Sequence, residues 1–314
     1  MKRALRVALL MLGGWAQSPL DPATDEAGHL HALWNLMLAI CGGVYVLVLL
    51  FLGWALWRNR RRLDAAPDAD PHDGGLRLGL TAWAAFITLG LSAIAGASFL
   101  VDRALAANHP GDVLQIRVTG QQWWWRVQYR APSGNWIETA NEVHLPLNRP
   151  ARIEVATTDV IHSFWIPNLA GKQDTIPGRI NTLFATPRRM GWFRGQCAEF
   201  CGLQHAQMAL DVKVDSPQAF EAWLSGQSRA AGPPADPVAA RGQQIVTTQT
   251  CGQCHSVRGT QAQGRAAPDL THVASRRSLA AGTLPFNRGA LMGWITQPQA
   301  AKPGASPQVR ESRS

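Results

Sequence analysis

Cysteine is scarce in this chain of 314 residues: two pairs, Cys197 with Cys201 and Cys251 with Cys254, and a lone Cys41. Both pairs have the spacing of metal or haem motifs, so no disulfide framework is expected. Cys41 sits in an apolar run and is expected to be an inert buried thiol. Tyrosine is nearly absent, with two residues against thirteen Trp, so the polar aromatic character falls to tryptophan, three of which are consecutive at Trp123, Trp124 and Trp125. Acidic residues thin out toward the C-terminus. Residues 1–103 carry nine Lys/Arg and eight Asp/Glu, 104–226 eleven and ten, and 227–314 ten and three, so +7 of the net +9 lies in the last segment. This distribution argues against nucleic acid as the partner and leaves a solvated surface or an acidic partner.

The length allows two domains with additional segments. The N-terminus has a basic start, a short apolar run and small residues at Gly14 and Ala16. It reads as an export signal over 1–16, the alternative being an uncleaved anchor, for which the run is short. Leu30 to Trp57 is almost wholly apolar and exceeds the ~20 residues a membrane-spanning helix requires. R-N-R-R-R follows at once, a basic flank that predicts passage from outside to inside. A polar linker, Leu63 to Gly75, precedes a second span from Leu78 to Val101 that returns the chain to the outer side. Neither run has a polar face, which excludes an amphipathic core helix. The hairpin is thus predicted over 29–103, with spans at 30–57 and 78–101.

The densest chemistry lies at Cys197–Met208, C-A-E-F-C-G-L-Q-H-A-Q-M. Two thiolates, an imidazole and a thioether within one loop suit copper, whereas a structural zinc site rarely includes Met. A single blue-copper ion needs one Cys; two on one loop can bridge two ions. A further ligand is expected at a distant strand end, at His162 in D-V-I-H-S-F-W. The bland alternative is two buried thiols or a disulfide. Short alternating runs with Pro and Gly turns begin at Asp112: V-L-Q-I-R-V, W-W-W-R-V-Q-Y, E-V-H-L, A-R-I-E-V-A, I-H-S-F-W-I, N-T-L-F-A and A-L-D-V-K-V. They predict a β-sandwich over 110–226. A Pro-rich linker over 227–237 leads to Cys251-Gly252-Gln253-Cys254-His255. This spacing predicts c-type haem attachment, with His255 as iron ligand; a zinc or redox Cys-x-x-Cys is the alternative.

Cys-x3-Cys-x3-His-x2-Met with a second His 35 residues before the first Cys resembles the dinuclear copper (CuA) site of cytochrome c oxidase subunit II. The resemblance implies a two-helix transmembrane hairpin, an all-β cupredoxin-like sandwich and a small α-helical cytochrome c domain at 238–314, incomplete at its C-terminus. It implies two copper ions on His162, Cys197, Cys201, His205, Met208 and the backbone carbonyl of Glu199. The Glu199 side chain is then expected to reach a magnesium ion shared with subunit I. G-Q-Q-W-W-W-R-V-Q-Y resembles the aromatic region beside that copper site, and Trp123 matches the tryptophan through which electrons enter. Lys172 and Asp174 are expected to serve docking or the fold, and Pro177-Gly178 a turn.

The implied function is that of the electron-accepting subunit of a haem-copper terminal oxidase in a bacterial inner membrane, its copper and haem c on the periplasmic side. Electrons from a cytochrome c-type or membrane-held donor are expected to pass through haem c and copper to subunit I. Reduction of oxygen and proton pumping are expected there, with subunits I and III as partners. The basic last segment predicts an acidic donor. A quinol oxidase subunit would lack the copper ligands, a nitrous-oxide reductase would not carry this two-helix anchor or a C-terminal haem motif, and a basic secreted binding module explains neither ligand set. After the haem motif, Pro268-Asp269-Leu270 fits a cytochrome c, but K-P-G-A-S-P-Q-V-R-E-S-R-S lacks the axial Met expected there, and the closing helix does not follow. Either the end of the chain is cut short, the favoured expectation, or an unusual ligand completes the iron. Met292, the only methionine after the motif, and His272 are the candidates, although Met292 beside Trp294 is expected to be packed.

Overall fold

The computed structural model describes residues 17–60, 73–106 and 112–305. The signal expected over 1–16, most of the polar linker after Trp57, and residues 306–314 lie outside the described residues. The chain forms two compact units, His29–Ala107 and the remainder.

The first unit holds two long helices, α1 (Asp25–Arg60) and α2 (Asp73–Leu105). Each is long and apolar enough to cross a membrane, and the apolar stretches of both are unburied by the chain itself. In water so much exposed Leu, Val and Phe would be costly, and lipid removes that cost. The helices touch at Gly90, where an added Cβ would meet Ile40 at 3.9 Å. Cys41 is exposed on α1, contrary to the buried thiol expected, because its neighbours face outward too.

The start of α1 belongs to the second unit. The Glu26 carboxylate, 4 % exposed, accepts from the Thr186 amide at 2.7 Å and from its hydroxyl at 2.9 Å. Arg188 pairs with Asp25 and Arg189 with Asp21, each at 2.6 Å. Acidic residues in the first turn also suit the helix dipole.

Ten strands form the sandwich: β1 (Leu114–Gln121), β2 (Trp124–Arg130), β3 (Trp136–Ala140), β4 (Glu142–Pro146), β5 (Ala151–Thr157), β6 (His162–Trp165), β7 (Gln173–Thr175), β8 (Asn181–Ala185), β9 (Gly191–Cys197) and β10 (Ala209–Asp215). One sheet runs β3-β2-β1-β5-β8 and the other β4-β10-β9-β6-β7. Period-two alternation drives them together. Ile116 and Val118, Trp125, Val127 and Tyr129, and Ile153 and Val155 are buried from one sheet, Phe193, Leu210, Val212 and Val214 from the other. Helix α3 (Pro217–Ser228), N-capped by Ser216, inserts Phe220 and Leu224 into the same core.

Three strands, β3, β7 and β9, were not expected from the alternating runs. Strand β9 is G-W-F-R-G-Q-C, whose glycines conceal it. Its Gly195 is there for contact, since a Cβ would lie 2.5 Å from Leu210 Cδ2 on the paired strand.

The last segment holds α4 (Pro237–Thr248), α5 (Cys251–Cys254), the small hairpin β11 (Ser278–Leu279) with β12 (Leu284–Pro285), α6 (Arg288–Thr296) and α7 (Pro298–Ala301). Asp236 and Asn287 cap α4 and α6 through side-chain bonds of 2.8 Å to amides three residues on. This segment clusters with the sandwich as one unit.

Candidate metal centre

His162 opens β6, Cys197 ends β9, and residues 198–208 form the loop between β9 and β10. The Cys197 amide donates to Met208 O at 2.8 Å, which pinches the loop shut, and Ala198 N donates to Ser163 O at 2.9 Å, which holds it against β6. The closure converges five side chains. Cys197 Sγ lies 3.7 Å from Cys201 Sγ and 3.9 Å from His162 Nδ1, and Cys201 Sγ lies 3.8 Å from both His205 Nδ1 and Met208 Sδ. The Glu199 carbonyl oxygen is 3.2 Å from Cys197 Sγ. A disulfide needs about 2.05 Å between sulfurs, so these are two free thiols. His162, Cys197, Cys201 and Met208 are buried and His205 is half-buried.

The contact between the two sulfurs holds the Cys197 thiol down at about 3, aided by His162, and the same contact pushes Cys201 upward. His162 is raised: burial, the largest single cause, opposes its protonation, but the Asp159 carboxylate and Cys197 together outweigh it. Asp159 Oδ1 meets His162 Nε2 at 2.8 Å and leaves Nδ1 facing Cys197. This carboxylate–imidazole pair is the orienting contact a ligand histidine requires. Gly120 seats the other edge of the ring, since a Cβ there would be 2.8 Å from His162 Cδ2.

Trp123 donates from Nε1 to Cys201 O at 2.9 Å, and Gln122 Nε2 donates to the same oxygen at 2.7 Å. The tryptophan expected to conduct electrons is therefore bonded to the backbone of a thiol residue, whereas Trp125 is core, edge-on to His162 with ring centres 5.9 Å apart. The half-exposed Glu199 carboxylate lies 3.8 Å from Lys172 Nζ, which is also 3.8 Å from Asp174. Phe200 and Leu203 on the loop are 76 % and 81 % exposed, an apolar rim suited to a partner subunit.

Cys251 and Cys254 stand one turn apart on α5, both free, with His255 immediately after. His255 Nδ1 meets Pro268 O at 2.7 Å, which fixes the ring and leaves Nε2 for a metal. Val238, Ile245, Met292 and Ile295 are exposed in this segment. Met292 is 65 % exposed on α6, not packed as expected. His272 Nε2 is engaged with Arg229 O at 3.0 Å.

The donor set itself tests the fit to copper. Three sulfur donors, two imidazoles and one carbonyl lie already adjacent, with His162, Cys197, Cys201 and Met208 buried, a set that suits copper. The Cys-x-x-Cys-His turn, with its oriented imidazole, fits a covalently attached haem.

Residues 131–215 match the family described as cytochrome c oxidase subunit II, periplasmic domain, and residues 239–311 match cytochrome c. The cytochrome c oxidase subunit 2 of Alkalihalophilus pseudofirmus is 30 % identical over 301 residues, 93 % of this chain and 85 % of that protein. That of Bacillus sp. strain PS3 is 35 % identical over 199 residues, 60 % of this chain and 54 % of that protein. The crystal structure of the periplasmic domain of subunit II of cytochrome oxidase of Bradyrhizobium japonicum is 33 % identical, covering 38 % of this chain and 96 % of that one, with a TM-score of 0.36.

Proposed function

The chain belongs to the cytochrome c oxidase subunit II family, and from that premise we propose that it takes electrons at its haem-binding segment and delivers them through its copper loop to subunit I. It is a membrane-anchored subunit of a haem-copper oxidase, an oxidoreductase, with a cytochrome c domain. His162, Cys197, Cys201, His205, Met208 and the Glu199 carbonyl hold two copper ions, and Cys251, Cys254 and His255 hold haem c. When bound there, the copper pair and the haem would supply one-electron carriers whose ligands are held by a rigid scaffold. The convergence of five donor side chains, with sulfur–sulfur and sulfur–nitrogen separations of 3.7–3.9 Å, carries this reading.

The protein's own work is to bind, orient and exclude water. Asp159 orients His162, and Gln122 and Trp123 hold the Cys201 carbonyl. Trp123 conducts between the two cofactor sites. Glu199 faces subunit I, its carboxylate available to a shared magnesium ion. The copper domain spans 110–226 and the haem domain 238–314, joined by 227–237. The hairpin lies in the bacterial inner membrane with both domains on the periplasmic side, beside subunits I and III. Attachment of the first turn of α1 to the sandwich supports placing that end of the helix on the periplasmic side. Oxygen reduction coupled to proton pumping takes place in subunit I.

Metal and haem analysis of the purified oxidase tests the proposal. Two coppers and one covalent haem c are expected from this chain, and a preparation with intact subunit I that lacks either cofactor on this chain would refute it.

A further inference from the structure

Lys302 lies in the K-P-G segment and is 2 % exposed, although it carries an ammonium group. A buried charge is tolerated where its hydrogen-bonding capacity is met. Here it is met in full: Nζ donates to Trp123 O at 2.7 Å, Gln207 O at 3.1 Å and Ala280 O at 3.2 Å. The three acceptors come from the β1–β2 turn, the copper loop and the β11–β12 turn. Burial lowers the lysine to about 8, but the three bonds stand on geometry alone.

The third acceptor sits in an unusual backbone. Ala280, Ala281 and Gly282 have φ of 52°, 57° and 76°, a left-handed run that alanine resists. Such a conformation persists where its surroundings over-determine it. All three carbonyls are used, two of them across the domain boundary: Ala281 O by Ala209 N at 3.0 Å and Gly282 O by Arg194 at 3.1 Å, while Ala280 O accepts from Lys302 of the same segment. Pro303 O accepts from Gln204 of the copper loop. Trp123 is thus held from both sides, by Lys302 at its carbonyl and by the Cys201 carbonyl at its indole N–H.

We propose that Lys302 and the left-handed turn Ala280–Gly282 form a clamp that seats the haem segment against Trp123 and the copper loop. Electron passage within the chain then occurs at one fixed geometry, and the linker over 227–237 does not act as a tether for a searching domain. Lys302 is a positioning residue: it touches Trp123 and the loop backbone, and no cofactor ligand side chain. The inference rests on the two-cofactor reading above.

The test uses the purified oxidase with the full chain, as wild type and as Lys302→Met. Cofactor content, amide hydrogen exchange over 278–283 and 299–305, and the single-turnover rate from haem c to copper at low and high salt are measured. In wild type both segments are expected to be protected, and the rate to change by less than about twofold with salt, because buried contacts are little screened. In Lys302→Met, exchange is expected to rise and transfer to slow, each on the order of tenfold, with copper and haem retained and salt dependence gained. A wild-type rate that falls steeply with salt, or a variant with unaltered exchange and rate, would overturn the clamp. If the variant does not assemble, the wild-type exchange and salt series decide alone. Absence of either cofactor from wild type would instead overturn the two-cofactor reading.

Discussion

At the scale of single residues, the orientation of His162 depends on one carboxylate and one missing side chain. Asp159→Ala is expected to weaken copper binding by about 10–100-fold, the usual loss when an orienting partner goes, with the sandwich folded. Chelator competition measures it, and unchanged affinity would remove Asp159 from the site. Gly120→Ala places a methyl 2.8 Å from the His162 ring, and loss of the copper absorption with retained β-sheet circular dichroism is expected. Asp211 supplies a pH dependence. Burial, the largest cause, raises its pKa above the usual aspartate value, so the folded state binds the proton more tightly than the unfolded state. Its contribution is present below about pH 4 and lost as pH rises through the raised value; denaturation of Asp211→Asn across that range should show a flatter slope.

At the scale of elements, legibility followed length and locality. The membrane helices and the long alternating strands β1, β2, β5 and β10 stand out because each carries its own period of apolar residues. Strands β3, β7 and β9 do not: β7 has three residues, and β9 carries two glycines, one of which, Gly195, is explained only by side chains on neighbouring strands. Gly195→Ala drives a methyl into Leu210 and is expected to cost about 1–3 kcal/mol by denaturant unfolding, the usual penalty of overpacking. A neutral result would mean that β9 and β10 can move apart. The loop at 197–208 was readable for the opposite reason, since four of the donor side chains it brings together fall within twelve consecutive residues.

For the whole molecule, the charge of the last segment yields a prediction about the donor. The last segment, residues 227–314, holds ten basic and three acidic residues, so an acidic donor is expected to associate faster than a basic one, most strongly at low salt. Turnover with donors of opposite charge across a salt series measures this, and a faster basic donor at low salt would contradict it. The linker composition suggested a separate haem domain. The structure joins that domain to the sandwich through buried polar contacts such as Glu142 with the Arg277 amide at 2.9 Å.

By itself the sequence determined the two spans, the copper loop with His162, the Cys-x-x-Cys-His motif and the sandwich, since each depends on chemistry repeated or clustered along the chain. Only the tertiary structure decided what Trp123 and Lys302 touch. Trp123 reaches Cys201 across 78 residues and Lys302 reaches Trp123 across 179. Contacts of that separation leave no local period or spacing, because they form between backbone carbonyls, which every residue carries, and the side chain that folding happens to bring against them.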